Sequence, residues 1–111
     1  MTEFSKRCLF IIQNIPYGKV ISYGKIAMLA GNPKGARLVS RLLSSSSIKY
    51  NLPWHRVLGA DGAIAFRHLN AIEEQKSRLE KEGVHFHKFR IADDSYFWNL
   101  SSIEDIGYYD E

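Results

Sequence analysis

Ser22-Tyr23-Gly24-Lys25-Ile26-Ala27-Met28-Leu29-Ala30-Gly31-Asn32-Pro33-Lys34-Gly35-Ala36-Arg37-Leu38-Val39-Ser40-Arg41-Leu42-Leu43 is the stretch that decides the fold. Ser22 suits the N-cap of a short helix through Ala30, because its hydroxyl can accept from an orphan N–H of the first turn. Gly31 suits the C′ position, where the chain leaves a helix left-handed. Pro33 is expected near the start of a second helix, where its missing N–H does no harm. That helix runs to about Leu43, with Leu38, Leu42 and Val39 expected inward and Lys34, Arg37 and Arg41 on the other face. Ala27 and Gly31 are small enough to let the two helices approach closely. Helix, tight turn and basic helix together make a helix-turn-helix shape.

Outward from this unit, the signals are those of a small, mainly helical domain. Phe4, Cys8, Ile11 and Ile15 recur at spacings of 4, 3 and 4, which predicts an amphipathic helix over 3–14. Pro16-Tyr17-Gly18 ends it with turn chemistry. Residues 48–60 read as extended or loop, since Pro53 disfavours helix at Leu52. Asp61-Gly62 is a turn signal, and Ala63–Phe66 is expected as a short strand. Asn70 with Glu73 resembles a capping box for a further helix over 71–82, closed by Gly83. Val84, Phe86 and Phe89 suggest an extended segment. The expected class is mainly α with a minor β element, a winged-helix-like helix-turn-helix domain over residues 1–92. An acidic C-terminal tail over 93–111 is either solvated or docked back on the body.

Composition narrows the partners. A chain of 111 residues suits one domain. Its net charge of +3 conceals an asymmetry. Residues 4–60 carry Lys6, Arg7, Lys19, Lys25, Lys34, Arg37, Arg41, Lys49 and Arg56 and no acid, whereas 93–111 carry six acids and no base. A basic body suits a polyanion such as nucleic acid. Cys8 is the single cysteine, so an intrachain disulfide is excluded. No apolar run reaches the ~18 residues of a membrane span, and no signal-peptide pattern opens the chain. An intracellular place is expected: cytoplasm or nucleoid in a bacterium, nucleus in a eukaryote. His85 and His87 share a face at strand spacing, but with no third ligand nearby neither a metal site nor any cofactor is expected.

A resemblance sharpens this reading. Ile15-Pro16-Tyr17-Gly18-Lys19-Val20-Ile21-Ser22-Tyr23-Gly24, Gly35-Ala36-Arg37-Leu38-Val39, Pro53-Trp54-His55-Arg56-Val57, Asp61-Gly62 and Leu79-Glu80-Lys81-Glu82-Gly83-Val84 occur in order over residues 4–86. This pattern resembles the DNA-binding domain of the O6-alkylguanine-DNA alkyltransferases. The family signature is Pro-Cys-His-Arg-Val; here Trp54 stands in the cysteine's place. That change marks the alkyltransferase-like subgroup, whose members bind alkylated guanine in DNA without repairing it. Alkyl transfer needs a thiolate nucleophile, and an indole does not supply one at neutral pH. Cys8 lies at a core-like position of the first helix, far from the motif.

The resemblance implies further roles. His55 and Glu82 match the histidine and glutamate that assist the thiol, and here keep a structural hydrogen-bonding role. Arg37 matches the arginine that fills the hole left by a flipped nucleotide; a phosphate contact is the simpler use of the same side chain. Tyr23 matches the tyrosine that presses on the target nucleotide's backbone. Trp54 is expected to line the lesion pocket, Lys34 and Arg41 to meet phosphates, and Arg56 to brace the fold by a salt bridge. Where relatives carry Tyr-Ser after the Asp-Gly turn, this chain has Phe66-Arg67-His68, and Arg67 is expected to point at O6 and N7 of the flipped base. Ser46-Ser47 replaces an Asn-Pro whose asparagine fixes the loop before the motif. The function implied is a non-enzymatic sensor, acting as a monomer. It binds O6-alkylguanine in duplex DNA through the minor groove, flips it, and flags it for nucleotide excision repair proteins. The alternatives are a residual alkyltransferase and a sequence-specific winged-helix regulator.

Overall fold

The structure is a computed structural model that describes residues 1–109. Helix α1 spans Glu3–Gln13, capped by the Thr2 hydroxyl, which accepts from Ser5 N–H. Its apolar stripe buries Cys8, Leu9, Ile11 and Ile12. Strand β1, Ile21–Ser22, leads directly into helix α2, Tyr23–Leu29, and Ser22 caps it by accepting from Lys25 N–H at 3.0 Å, as the sequence predicts. Gly31 closes α2 with a positive φ of 101°, its N–H on Met28 O and that of Asn32 on Ala27 O. These paired bonds satisfy carbonyls the helix end would otherwise leave bare.

Helix α3 spans Ala36–Ser46 and completes the helix-turn-helix. It starts later than Pro33 suggested: Pro33 and Lys34 sit in the connecting turn, so Lys34 precedes the helix rather than decorating its face. The inward stripe also differs. Val39, Leu43 and Ser46 are buried, whereas Leu38 is 47% exposed and Leu42 is half-buried. Both 38/42 and 39/43 satisfy helical spacing. Which of them turns inward is set by how α3 is rolled against α1 and α2, a tertiary matter.

Beyond α3 the chain crosses to the motif, where Trp54–Arg56 form one 3-10 turn and Val57–Leu58 form β2, pairing parallel with β1. Ala63–Phe66 is no ladder strand; a single antiparallel bridge joins Ala63 to Arg90. Helix α4 spans Leu69–Lys81, two residues earlier than expected, so Asn70 lies in its first turn and His68 occupies the N-cap without a side-chain bond. Gly83 closes α4 as expected, with φ 92°. A hairpin of β3 (Phe86–His87) and β4 (Arg90–Ile91) follows, the wing of the fold.

The larger part of the core joins α1, α2 and α3 through Cys8, Ile11, Ile12, Ile26, Val39 and Leu43. A smaller part lies under the hairpin: Val20, Leu58, Leu79, Val84 and Ile91. Residues 96–108 of the C-terminal segment run against the body. Val20 N–H donates to Tyr96 O and Trp98 N–H to Val20 O, so residues 96–98 run beside β1. Trp98, Leu100, Ile103 and Ile106 then pack on the core, and Tyr108 meets Phe10 edge-on at 5.1 Å. The expectation for Asp110 and Glu111 lies outside the described residues. Among those described, no helix is long and apolar enough to cross a membrane.

Candidate nucleic-acid interface

A cavity of about 290 Å³ opens beside the Trp54–Arg56 turn. Its walls come from four places. Tyr23 starts α2; Ser40, Leu43, Ser44 and Ser47 belong to the inner edge and end of α3; Phe66 comes from the loop before α4; Ala71 and Glu74 come from α4 itself. Trp54 closes the remaining side. A second hollow shares Tyr23, Ser40 and Phe66 with the first and adds Ala36, Arg37 and Ala65. One groove therefore runs from Arg37, in the first turn of α3, to the Trp54 ring.

Local chemistry holds Trp54 in place. Pro53 blocks helix before it, and Trp54 N–H donates to Leu52 O at 2.8 Å to form a tight turn. The ring meets Phe66 edge-to-face, centroids 5.7 Å apart, and the Arg78 guanidinium lies 5.3 Å from its centre. Arg78 is itself paired to Glu74 at 2.8 Å. Edge-to-face and cation–π contacts of this kind fix an aromatic in one orientation.

Beneath the turn lies a polar knot. Glu82 receives Arg56 Nε at 3.0 and 3.2 Å, Arg56 Nη2 at 2.9 Å and Gly18 N–H at 2.8 Å, and its Oε2 lies 2.7 Å from His55 Nε2. Arg56 Nη1 also donates to Ile15 O at 2.9 Å, and the ion pair of Arg56 with Glu82 is the bracing salt bridge expected of it. Burial alone would raise the Glu82 carboxyl, but the Arg56, Gly18 and His55 donors outweigh it and hold the group down at about 2. Burial lowers His55 below its ordinary value, against the pull of Glu82. A neutral His55 then donates Nε2–H to the carboxylate, and its buried Nδ1 bonds no described residue.

The candidate residues from the sequence separate into groups. Tyr23, Arg37 and Trp54 share the groove. Burial raises the Tyr23 phenol above its ordinary value, so it is neutral. Arg67 is exposed next to Phe66 and is not among the wall residues; the loop contributes Phe66 instead. Arg41 lies one turn beyond Arg37, on the wall of a separate hollow formed with Thr2, Phe4 and Leu38. Lys34 is exposed in the turn before α3. His55 and Glu82 sit behind the cavity wall. Ser47, one of the two residues replacing Asn-Pro, continues the line of α3 and donates its hydroxyl to Leu43 O.

Sequence reasoning missed Phe66, Glu74, Arg78 and Gln75. Gln75 is buried in α4, its Nε2 donating to His55 O at 3.0 Å and Val57 O at 2.9 Å, and so ties α4 to the motif. Its place between Ile72 and Leu79 at helical spacing was the available signal; its polarity hid it. Nothing in the sequence marks Glu74 or Arg78 beyond their i,i+4 pairing. Cys8 is fully buried in α1, and burial pushes its thiol up to about 12.

Comparison with known proteins agrees with this geometry. The family model described as the DNA binding domain of 6-O-methylguanine DNA methyltransferase matches residues 3–84. Alkyltransferase-like protein 1 of Schizosaccharomyces pombe is 38% identical over 94 residues, 84% of this chain and 87% of the relative. A DNA base-flipping protein of Vibrio parahaemolyticus is 36% identical over 99 residues, 88% of this chain and 98% of the relative. Among solved structures, S. pombe Atl1 in complex with damaged DNA containing O6-carboxymethylguanine superposes with a TM-score of 0.75 at 34% identity, covering 90% of this chain and 98% of that one. The chain belongs to the family of 6-O-methylguanine DNA methyltransferase DNA-binding domains, in its alkyltransferase-like branch.

Proposed function

We propose that this protein is a non-enzymatic sensor of O6-alkylguanine in duplex DNA. The observation that carries the reading is Trp54 in the cavity wall, at the position where the family's reactive cysteine stands. An indole takes no alkyl group at neutral pH, yet it offers a flat apolar surface for an alkylated base to pack on. The only thiol is excluded as a substitute: Cys8 is buried in α1, and a thiol raised to about 12 has almost no thiolate at neutral pH. The Glu82–His55 pair, which would draw a proton from a thiol, is occupied with Arg56 and Gly18 and braces the turn under Trp54.

Recognition proceeds by nucleotide flipping. The basic α3 enters the minor groove, with Lys34 and Arg41 on phosphates. Arg37 fills the vacated place in the stack and offsets part of the unstacking cost of a few kcal/mol. Tyr23 presses the nucleotide outward into the cavity between α3 and α4. Arg67, next to Phe66 at the mouth, engages the purine edge. Chemistry stops there, so the held lesion serves as a flag, and nucleotide excision repair proteins are the partners that fit such a flag. The relatives named for base flipping and the S. pombe complex with damaged DNA support the reading.

The test uses two duplexes that differ by one O6-methylguanine. Tighter binding to the damaged duplex, with unchanged protein mass and unchanged lesion after incubation, is expected. A protein that gains one methyl is an alkyltransferase; equal binding to both duplexes removes lesion sensing.

A further inference from the structure

The hairpin of β3 and β4 lies outside residues 3–84, the part of the chain that the family model matches, and the sensor reading gives it no task. It is tied to the groove through one loop. Ile91 N–H donates to Gly62 O at 3.1 Å, Ile64 N–H donates to Phe89 O at 2.9 Å, and Ala63 bridges antiparallel to Arg90. Residues 62–64 therefore run alongside β4. Ala65, the next residue, walls the hollow that also contains Arg37, and Phe66 belongs to both hollows of the groove. One strand spacing and one or two residues of chain separate the hairpin tip from the groove, roughly 10 Å or three base-pair rises.

The tip is cationic. His87, Lys88, Phe89 and Arg90 are exposed there, around a hollow of about 420 Å³ that reaches Ala63. Residues 84–91 contain no acid, and Arg90 is paired to Asp61 at 2.7 Å. Among the described residues, neither Lys76 nor Lys88 pairs with a carboxylate. Lys76 has Glu73 and Glu80 within about one turn of α4, yet its ammonium lies 5.9 Å from the centre of the Phe86 ring and 5.6 Å from that of Phe89. These cation–π contacts bring a charge from α4 up to the hairpin. Lys88 holds φ 56°, a turn position where glycine or asparagine is the less strained choice. The turn thus keeps a cation at its tip against backbone preference.

We infer that the hairpin is a second DNA contact, in which Lys76 and Lys88 meet backbone phosphates about three base pairs from the base held in the groove. The inference rests on the DNA-binding reading above. Two ammonium groups without a carboxylate partner suit a polyanion, and duplex DNA is the polyanion that lies in the adjoining groove on that reading. Phosphate contacts fix register and carry no information about the base. The hairpin therefore sets how firmly the duplex is held, while the cavity beside Trp54 sets which base is accepted.

The experiment titrates a plain duplex and its O6-methylguanine counterpart with the wild-type protein and three variants over a range of salt. Lys76→Gln and Lys88→Asn each remove one charge, and asparagine suits the positive φ at 88. Lys81→Gln removes the same charge at the end of α4 away from the cavity wall. Lys76→Gln and Lys88→Asn are each expected to weaken binding roughly 3- to 10-fold at low salt, equally on both duplexes. Each should make the log–log salt slope shallower by about 1, whereas Lys81→Gln should move it by less than about 0.3. A second measurement locates the contact. Uncharged methylphosphonates replace the phosphates about two to four steps from the lesion, on one side and then on the other. On one of the two sides they should weaken the wild type, and in the Lys76→Gln/Lys88→Asn double variant that penalty should shrink to within about 2-fold. Unmoved slopes, an equal shift in Lys81→Gln, or a methylphosphonate penalty that persists in the double variant each overturns the inference. Failure to separate O6-methylguanine from guanine would sink the sensor reading and leave the hairpin contact standing on its slope. Separation of the two duplexes with an unmoved slope sinks only the hairpin contact.

Discussion

Glu82 Oε2 lies 2.7 Å from His55 Nε2 and 2.9 Å from Arg56 Nη2, so one carboxylate from the end of α4 anchors both residues that follow Trp54. The side chain of Glu82 is only 7% exposed, and its removal would strand Arg56 in a half-buried site. The pocket is thus held from behind by a charge pair that is not part of its wall.

This pair predicts an acid-sensitive fold. The folded Glu82 carboxyl sits at about 2, below its ordinary value of 4.5, so its stabilisation is complete above 4.5 and is lost as pH falls toward 2. His55 is also lowered in the fold, so protonating it below its ordinary 6.5 opposes folding in the same direction. The Glu82 part amounts to about 3 kcal/mol at neutral pH. Urea midpoints measured between pH 3 and pH 8 should rise with pH and level off above about 7. Glu82→Gln should lose about 3–5 kcal/mol at pH 7 and flatten the acid limb. A wild-type profile that stays flat down to pH 3 would contradict the linkage.

Arg37 should separate binding from stability. It is exposed in the first turn of α3 and bonds no described residue, so Arg37→Ala should change stability by less than about 0.5 kcal/mol. Binding to damaged duplex should weaken by about 1–3 kcal/mol. A fluorescent base beside the lesion should report less flipping. Weaker binding with a full flipping signal would reduce Arg37 to a phosphate contact.

Trp54 should govern the dependence on alkyl size. Trp54→Ala removes the packing shared with Phe66 and Arg78 and leaves a gap beside the base. The bulkiest O6 groups should lose most affinity, on the order of 2–4 kcal/mol, while binding to plain duplex, carried by phosphates, changes little. Arg67→Ala should instead narrow the gap between alkylated and plain guanine without altering the size dependence. Equal weakening of either variant on guanine, methyl and bulkier duplexes would place that residue outside the lesion contact.

Two glycines with positive φ should respond differently to alanine. A Cβ on Gly62 would lie 2.5 Å from Ile91 Cγ1, whereas one on Gly83 meets nothing within 4 Å. Gly83→Ala therefore carries only backbone strain, about 1 kcal/mol, and Gly62→Ala adds overpacking for about 2–4 kcal/mol in all. Thermal melts of the two variants check this order. Equal losses would mean that the loop before α4 shifts freely from the hairpin.

Local signals in the sequence determined the helices and their ends. Ser22, Gly31 and Gly83 act through bonds within a few residues of themselves, so their roles could be read without knowing the fold. The motif Pro53-Trp54-His55-Arg56 likewise announced the family and the missing thiol. What local pattern could not supply is rotation and juxtaposition. The roll of α3 that buries Val39 and Leu43 rather than Leu38 and Leu42 depends on the shapes of α1 and α2. The tail's packing depends on Val20, just before β1, whose N–H and C=O pair with Tyr96 and Trp98. Ala71 and Glu74 became pocket residues, and Arg78 a neighbour of the Trp54 ring, only because α4 packs across the Trp54 turn through buried Gln75, a contact between residues about twenty positions apart. Periodicity reports which residues share a face; only packing decides what that face meets.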